Sequence, residues 1–183
     1  MYQKSILRKK YFNLRKKRYY EIDKEFFSPL LSFIKLNFKK ENLKLALYYP
    51  TSFEINVLKL LENQYMNNRN ILLPVIEENN RMNFFSWKKN HVLLVNKFGI
   101  LEPHKTKFKI PNLILLPILA FDSNKYRLGY GKGFYDRYLN KYSKKISNIL
   151  TVGVAFSFQK HHKLPMNKND VKLDYILTEK GFY

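Results

Sequence analysis

Apolar positions along this chain fall into short unbroken runs, separated by stretches in which they recur every three or four residues. The densest run, 113–120, has the length of a strand covered on both faces, with Pro117 near its end, where no ladder donor is needed. Runs at 43–49, 71–75 and 149–156 read as further strands, with Gly153 marking close approach of another backbone. Residues 82–87 and 92–95 add two more, the first preceded by a turn at Asn79 and Asn80, and 175–177 forms the last. Trp87, the one tryptophan, is assigned to the core.

Between the strands the spacing turns helical. Ile6, Leu7, Tyr11, Leu14 and the stem of Arg18 give residues 3–20 one apolar stripe among basic residues. Asp23 is placed to cap a second helix reaching about Lys39, which Pro29 starts, kinks or shortens. After the break at Pro50, Thr51 or Ser52 is read as the cap of a helix through Ile55, Leu58, Leu60, Leu61 and Tyr65. Strands alternating with helices predict an α/β sandwich with a mainly parallel sheet and a site at the carboxyl ends of its strands.

Composition narrows the picture. A chain of 183 residues, 45% hydrophobic, suits one domain, taken as 1–183, with ample material for a core. The absence of cysteine excludes disulfides, thiolate catalysis and zinc–thiolate sites. No apolar run reaches the roughly 18–20 residues that cross a bilayer, and no export signal follows the first basic residues, so a soluble, cytoplasmic protein is expected. The net charge of +20 would attract polyanions, yet only seven of the 34 basic residues are arginine and the lysines are spread along the whole chain. This is read as a lysine-rich solvated surface, with no specific nucleic-acid partner. The adjacent His161 and His162 do not share a helix face and are read as surface residues.

The candidate chemistry begins where the strand at 113–120 ends. Gly129, Gly131 and Gly133 alternate with Tyr130 and Lys132, which lets the backbone turn tightly and brings bare N–H groups to whatever lies there. A helix starting through Phe134, Tyr135 and Asp136 adds the positive end of its dipole to Arg127 and Lys132, and Asp136 is placed to hold a cation beside phosphates. A lone G-x-G-x-G also occurs in ordinary strand-to-helix turns, and this one matches neither the Walker A loop nor the dinucleotide fingerprint.

The longer string is more specific. Ala120-Phe-Asp122 followed by Tyr126-Arg-Leu-Gly-Tyr-Gly-Lys-Gly-Phe-Tyr-Asp-Arg137 closely resembles the signature of the 5-formyltetrahydrofolate cyclo-ligase family. Lys4-Ser-Ile-Leu-Arg8 with Arg15, Asn96-Lys-Phe-Gly-Ile-Leu-Glu-Pro103 and the 164–174 segment from Leu164 through Asp170 to Asp174 resemble its other elements, in order. The resemblance implies a three-layer α/β sandwich of the NagB/RpiA/CoA-transferase-like kind. It also implies a monomer that uses ATP and Mg2+ to cyclise 5-formyltetrahydrofolate to 5,10-methenyltetrahydrofolate. ATP contacts would come from Lys4, Arg8, Arg127, Leu128, Gly129, Tyr130, Gly131, Lys132, Gly133, Phe134 and Tyr135, with Arg127 and Lys132 the catalytic cations. Folate would meet Tyr49, Glu54, Phe98 and Phe134, with Glu54 accepting hydrogen bonds from the pterin. Asp136 and Asp170 would hold the metal, while Asp174 is read as structural. Two positions depart from the pattern: Phe134 stands where some members have tyrosine, and Tyr130 where some have a basic residue. A sugar-phosphate or CoA-handling enzyme would share the strands and the phosphate loop without needing Tyr49, Glu54, Phe98 and Glu102.

Overall fold

The computed structural model describes residues 2–142 and 149–183. Helix α1 (Tyr2–Arg18) is followed by a 3-10 turn (Lys24–Phe27) and α2 (Ser28–Asn37). Then come β1 (Lys44–Ala46), β2 (Asn70–Ile76), β3 (Met82–Trp87), β4 (Leu93–Val95), β5 (Leu101–Pro103), β6 (Leu113–Pro117), β7 (Ala120–Phe121) and β8 (Arg127–Leu128). Helix α3 (Phe134–Tyr142), β9 (Leu150–Val154), β10 (Tyr175–Thr178) and β11 (Gly181–Phe182) complete the order.

Seven strands form one sheet in the order β11-β10-β9-β6-β1-β2-β3. The five central strands pair in parallel, and β3 and β11 join the two edges antiparallel. Two small ribbons, β4–β5 and β7–β8, stand apart from this sheet.

The central strands read as continuous apolar runs because both of their faces are covered. Leu45, Leu47, Leu73, Leu113 and Leu115 point to one side, where Phe27, Leu30, Ile34, Val57 and Leu60 pack on them. The intervening Ala46, Leu72, Ile114 and Leu116 point to the other, against Phe84, Tyr138 and Leu139. That alternation produces three layers from a single sheet. A smaller cluster of Tyr11, Leu119, Ala120, Leu128 and Leu164 seats α1 near the β7–β8 ribbon. Trp87 lies in the core, where the sequence reading assigned it.

Several expected elements come out differently. The helix expected at 51–65 is replaced by two 3-10 turns, Val57–Glu62 and Gln64–Met66, capped by Asn56 and Asn63. Ser52 and Phe53 have φ of 49° and 65°, which prevents a helix from starting at Thr51. The second helix divides at Phe27, with Asp23 capping the 3-10 turn and Pro29 in the first turn of α2. Strand 113–120 stops at Pro117, and Ala120–Phe121 belongs to a separate ribbon. The groups crowding Gly153 are side chains, not backbone: an added Cβ would lie 2.7 Å from Leu173 Cδ1 and 2.9 Å from Ile176 Cδ1. In α1, Ile6 is half exposed and Arg15 is fully buried, the reverse of what an apolar stripe implies. His161 is partly buried, its Nδ1 2.9 Å from the Tyr11 hydroxyl. Among the described residues no helix is long and apolar enough to cross a membrane.

Candidate active site

A cleft of about 1630 Å3 opens where the parallel strands end. Tyr48 and Tyr49 follow β1, Ile76 ends β2 and Pro117 ends β6, so its floor is the carboxyl edge of the sheet. Every residue assigned a nucleotide, folate or metal contact from the sequence lines it: Lys4, Arg8, Tyr49, Glu54, Phe98, Asp136, Asp170 and the whole run from Arg127 to Tyr135.

One wall is the glycine-rich loop between β8 and α3. Gly131 and Gly133 have φ of 97° and 68°, values that L side chains rarely adopt. An added Cβ at Gly131 would also press on Arg8, 3.0 Å from its guanidinium carbon. Arg8 lies across the loop and donates from Nε to the Gly129 carbonyl at 2.9 Å. Lys132 projects into the cleft with Nζ 5.5 Å from the centre of the Phe98 ring, and it makes no ion pair among the described residues.

Below the loop the cations are paired with acids. Arg127 is buried and donates to Asp136 Oδ1 at 2.7 Å and to the Val171 carbonyl at 2.9 Å. Asp136 Oδ1 also accepts from the Val171 N–H, 3.2 Å away, which brings the start of α3 against the segment that carries Asp170. Lys4 reaches across to Asp170 Oδ2, which also accepts from the Asn167 N–H at 2.6 Å. In each carboxylate the bonds fall on one oxygen. Asp136 Oδ2 and Asp170 Oδ1 have no hydrogen bond among the described residues. Among the described residues no group of three or more His, Cys, Asp or Glu side chains is gathered to hold a metal.

The opposite wall carries Tyr49 and Glu54. Ser52 and Phe53, both in the left-handed region at a cost of about 1–2 kcal/mol each, turn the chain so that Glu54 enters the floor of the cleft. A tight turn fixes it there: the Glu54 N–H donates to the Thr51 carbonyl at 2.9 Å, and Glu54 Oε2 accepts from the Thr51 N–H at 2.8 Å. Burial raises the Glu54 carboxyl above its ordinary pKa, against the pull of the Thr51 N–H, the Tyr130 hydroxyl and the Arg15 charge. Burial likewise raises the Tyr48 hydroxyl, which stays neutral and donates to the Ile55 carbonyl at 2.9 Å.

The β4–β5 hairpin forms a third side. Asn96 holds its tip, accepting from Phe98 N–H at 2.8 Å and donating to Glu102 at 2.9 Å, while Glu102 also accepts from the Ile76 N–H at 3.1 Å. Glu102 therefore anchors the hairpin to the end of β2, and Phe98 stands at its half-exposed tip, edge-on to Phe134 at 6.0 Å.

Two residues that stand in the family-like motifs, but were given no contact of their own from the sequence, support this site. Asp122 is buried and accepts from the N–H groups of Asn124, Tyr126 and Leu164, which shapes the turn leading into β8. Arg15, placed with the N-terminal basic residues, lies beneath the cleft with 1% exposure; only its position within an otherwise apolar helical stripe could have signalled that.

A model of the 5-formyltetrahydrofolate cyclo-ligase family matches residues 4–179. A 5-formyltetrahydrofolate cyclo-ligase of Haemophilus influenzae is 32% identical over 150 residues, covering 76% of this chain and 78% of the relative. A probable 5-formyltetrahydrofolate cyclo-ligase of Schizosaccharomyces pombe is 31% identical over 140 residues, covering 68% and 69%. Among solved structures, the 5,10-methenyltetrahydrofolate synthetase of Aquifex aeolicus superposes with a TM-score of 0.76 at 34% identity, covering 98% of this chain and 91% of that one. The Mycoplasma pneumoniae 5,10-methenyltetrahydrofolate synthetase, at 24% identity and TM-score 0.68, shares the fold. The family match runs through all three sides of the cleft and every strand but β11, and the chain belongs to the 5-formyltetrahydrofolate cyclo-ligase family.

Proposed function

We propose that this chain, acting as one domain, closes the ring of 5-formyltetrahydrofolate to give 5,10-methenyltetrahydrofolate, with ATP converted to ADP and phosphate. The observation that carries this reading is a single cleft in which a glycine-rich, cation-lined wall faces a wall of Tyr49 and buried Glu54, with Phe98 on a third side and room for two sizeable substrates. A phosphate-handling enzyme of another class would have no use for the second wall.

The chemistry is set by the formyl group. Its oxygen is a poor leaving group, so N10 cannot expel it directly. Attack of that oxygen on the γ-phosphorus of ATP forms a new P–O bond and releases ADP. N10 then bonds to the formyl carbon and gives up its proton to water, and the C–O bond breaks with its electrons leaving on phosphate. The protein's task is to align two substrates and offset charge on the phosphoryl oxygens, as in other phosphoryl transfers. Lys132, with Arg8 and the loop N–H groups, faces that charge, and Lys4 and Arg127 add to the field from their acid partners. Tyr49 and Phe98 flank the folate, where an offset ring contact is worth about 0.5–1.5 kcal/mol beyond burial. The pair of acids fits Mg2+, which is usually held by one or two carboxylates together with substrate phosphates, and the unbonded oxygens of Asp136 and Asp170 would hold it. Bound there, Mg2+ would supply further charge neutralisation at the phosphates.

The decisive assay mixes purified protein, Mg2+, ATP and 5-formyltetrahydrofolate and follows absorbance in the methenyl product's band. Growth of the band that requires ATP supports the reading; its absence in folded protein overturns it. Lys132→Ala is a better control than Asp136→Asn, because losing the Asp136 charge also strands buried Arg127.

Glu54 provides a separate check. The pterin edge offers donors, so it binds the ionised carboxylate. A carboxyl with a raised pKa in the folded protein becomes protonated at a pH where a free one is still charged. Folate affinity should therefore weaken as pH falls through that raised value. Glu54→Gln should lose this dependence and bind folate about 10–100-fold more weakly where the parent's carboxylate is ionised, as expected for losing a charged hydrogen bond, with the gap closing at lower pH. Titrations of both proteins across pH would read this out, and an identical pH profile in the two would remove Glu54 from the pterin site.

A further inference from the structure

Arg15 is an arginine in an unusual position. It is buried to 1% exposure, it forms no ion pair among the described residues, and its Nε has no hydrogen-bond partner. Its terminal nitrogens instead reach three separate segments. One donates to the Ile118 carbonyl at 3.3 Å, just past β6. The other donates to the Ser52 carbonyl at 2.8 Å and to the Tyr130 hydroxyl.

Those acceptors belong to different walls. Ser52 is the first of the two left-handed residues that present Glu54, and Tyr130 is in the middle of the glycine-rich loop. The Arg15 guanidinium carbon also lies 5.5 Å from the centre of the Tyr130 ring. The Tyr130 hydroxyl and Arg15 both act on the buried Glu54 carboxylate. A planar guanidinium with several fixed donors can bridge three acceptors at once, whereas an ammonium on a flexible stem cannot hold that geometry.

We infer that Arg15, acting through Tyr130, is a positioning residue that couples the nucleotide wall to the folate wall. The inference rests on the two-substrate reading above. Phosphates seated on the glycine-rich loop fix Tyr130. Its hydroxyl, held by Arg15, fixes the turn bearing Glu54, so folate then meets a wall whose ordering has already been done. By linkage the effect is reciprocal: bound folate raises nucleotide affinity by the same factor. A cation in place of Tyr130 would repel Arg15, whereas a hydroxyl accepts from it.

Calorimetric titration of full-length protein with 5-formyltetrahydrofolate, with and without a β,γ-methylene analogue of ATP, tests the coupling without turnover. In the parent protein the analogue should tighten folate binding about fivefold or more, within the usual range for coupled sites. Tyr130→Phe removes one hydroxyl and should bring that factor close to one while Tm stays within a few degrees. Arg15→Lys should do the same. If Arg15→Lys fails to fold, Tyr130→Phe alone decides the question. A coupling factor unchanged in folded Tyr130→Phe, or absent from the parent, overturns the inference even when the parent turns over. Failure of the parent to bind folate at all overturns both this inference and the proposed function.

Discussion

Replacing Lys132 with alanine should lower turnover about 10²–10³-fold, the cost of removing one preorganised donor from a site of developing charge. The reason lies in what the other cations are doing. Arg127 and Lys4 are held by Asp136 and Asp170, and Arg8 spends its Nε on the Gly129 carbonyl. Lys132 makes no ion pair among the described residues and projects into the cleft beside Phe98. Its ammonium can therefore move to the transferred phosphoryl group without first leaving a carboxylate. The alanine variant should keep the parent Tm, because no buried partner is left behind. Steady-state kinetics beside a thermal melt check both statements. A kcat close to the parent's, in protein with unchanged Tm, would exclude Lys132 from the chemistry.

Arg127→Met should act in the opposite way, through stability first. It removes the donor to the Val171 carbonyl and the counter-charge of Asp136 in one step, inside a region where Arg127 is 7% exposed. Breaking a buried pair by deleting one partner costs about 3–5 kcal/mol; with Asp136 partly open to water the lower end applies. For a chain of this size, about 3 kcal/mol corresponds to a fall in Tm of roughly 6–12 °C. Removing both charges, as Arg127→Met with Asp136→Leu, should recover part of that loss, since no charge is left stranded. A single variant as stable as the parent would show that the pair does not hold α3 to the 170s segment.

Much of this architecture was legible because burial on both faces leaves an unmistakable trace. Leu113, Ile114, Leu115 and Leu116 alternate between two clusters, and no arrangement but a covered strand accommodates all four. The glycine-rich loop was equally readable, since Gly131 and Gly133 answer a local backbone need. Turns shaped by partners distant in sequence were not readable. Thr51 and Ser52 have good cap chemistry, yet Ser52 and Phe53 are held left-handed by contacts with Glu54 and with Arg15, 37 positions away. Propensity at Thr51 carries no information about that guanidinium. Glu102 shows the same limit: its place in the segment was visible, but its anchoring of the hairpin depends on the Ile76 N–H, 26 positions earlier.

The contact between Lys4 and Asp170 joins residues 166 positions apart. During synthesis, α1 leaves the ribosome long before the segment it must meet. Until then it presents Lys9, Lys10, Lys16 and Lys17 with neither its acidic partner nor the ribbon that covers Tyr11. The sheet core can gather earlier, from β1, β2 and β6, but the mouth of the cleft waits for residues near 170. Such long-range closure is slow. The nascent enzyme should therefore acquire its hydrophobic centre before any capacity to bind its substrates, and assembly of the binding cleft should be the last event in its maturation.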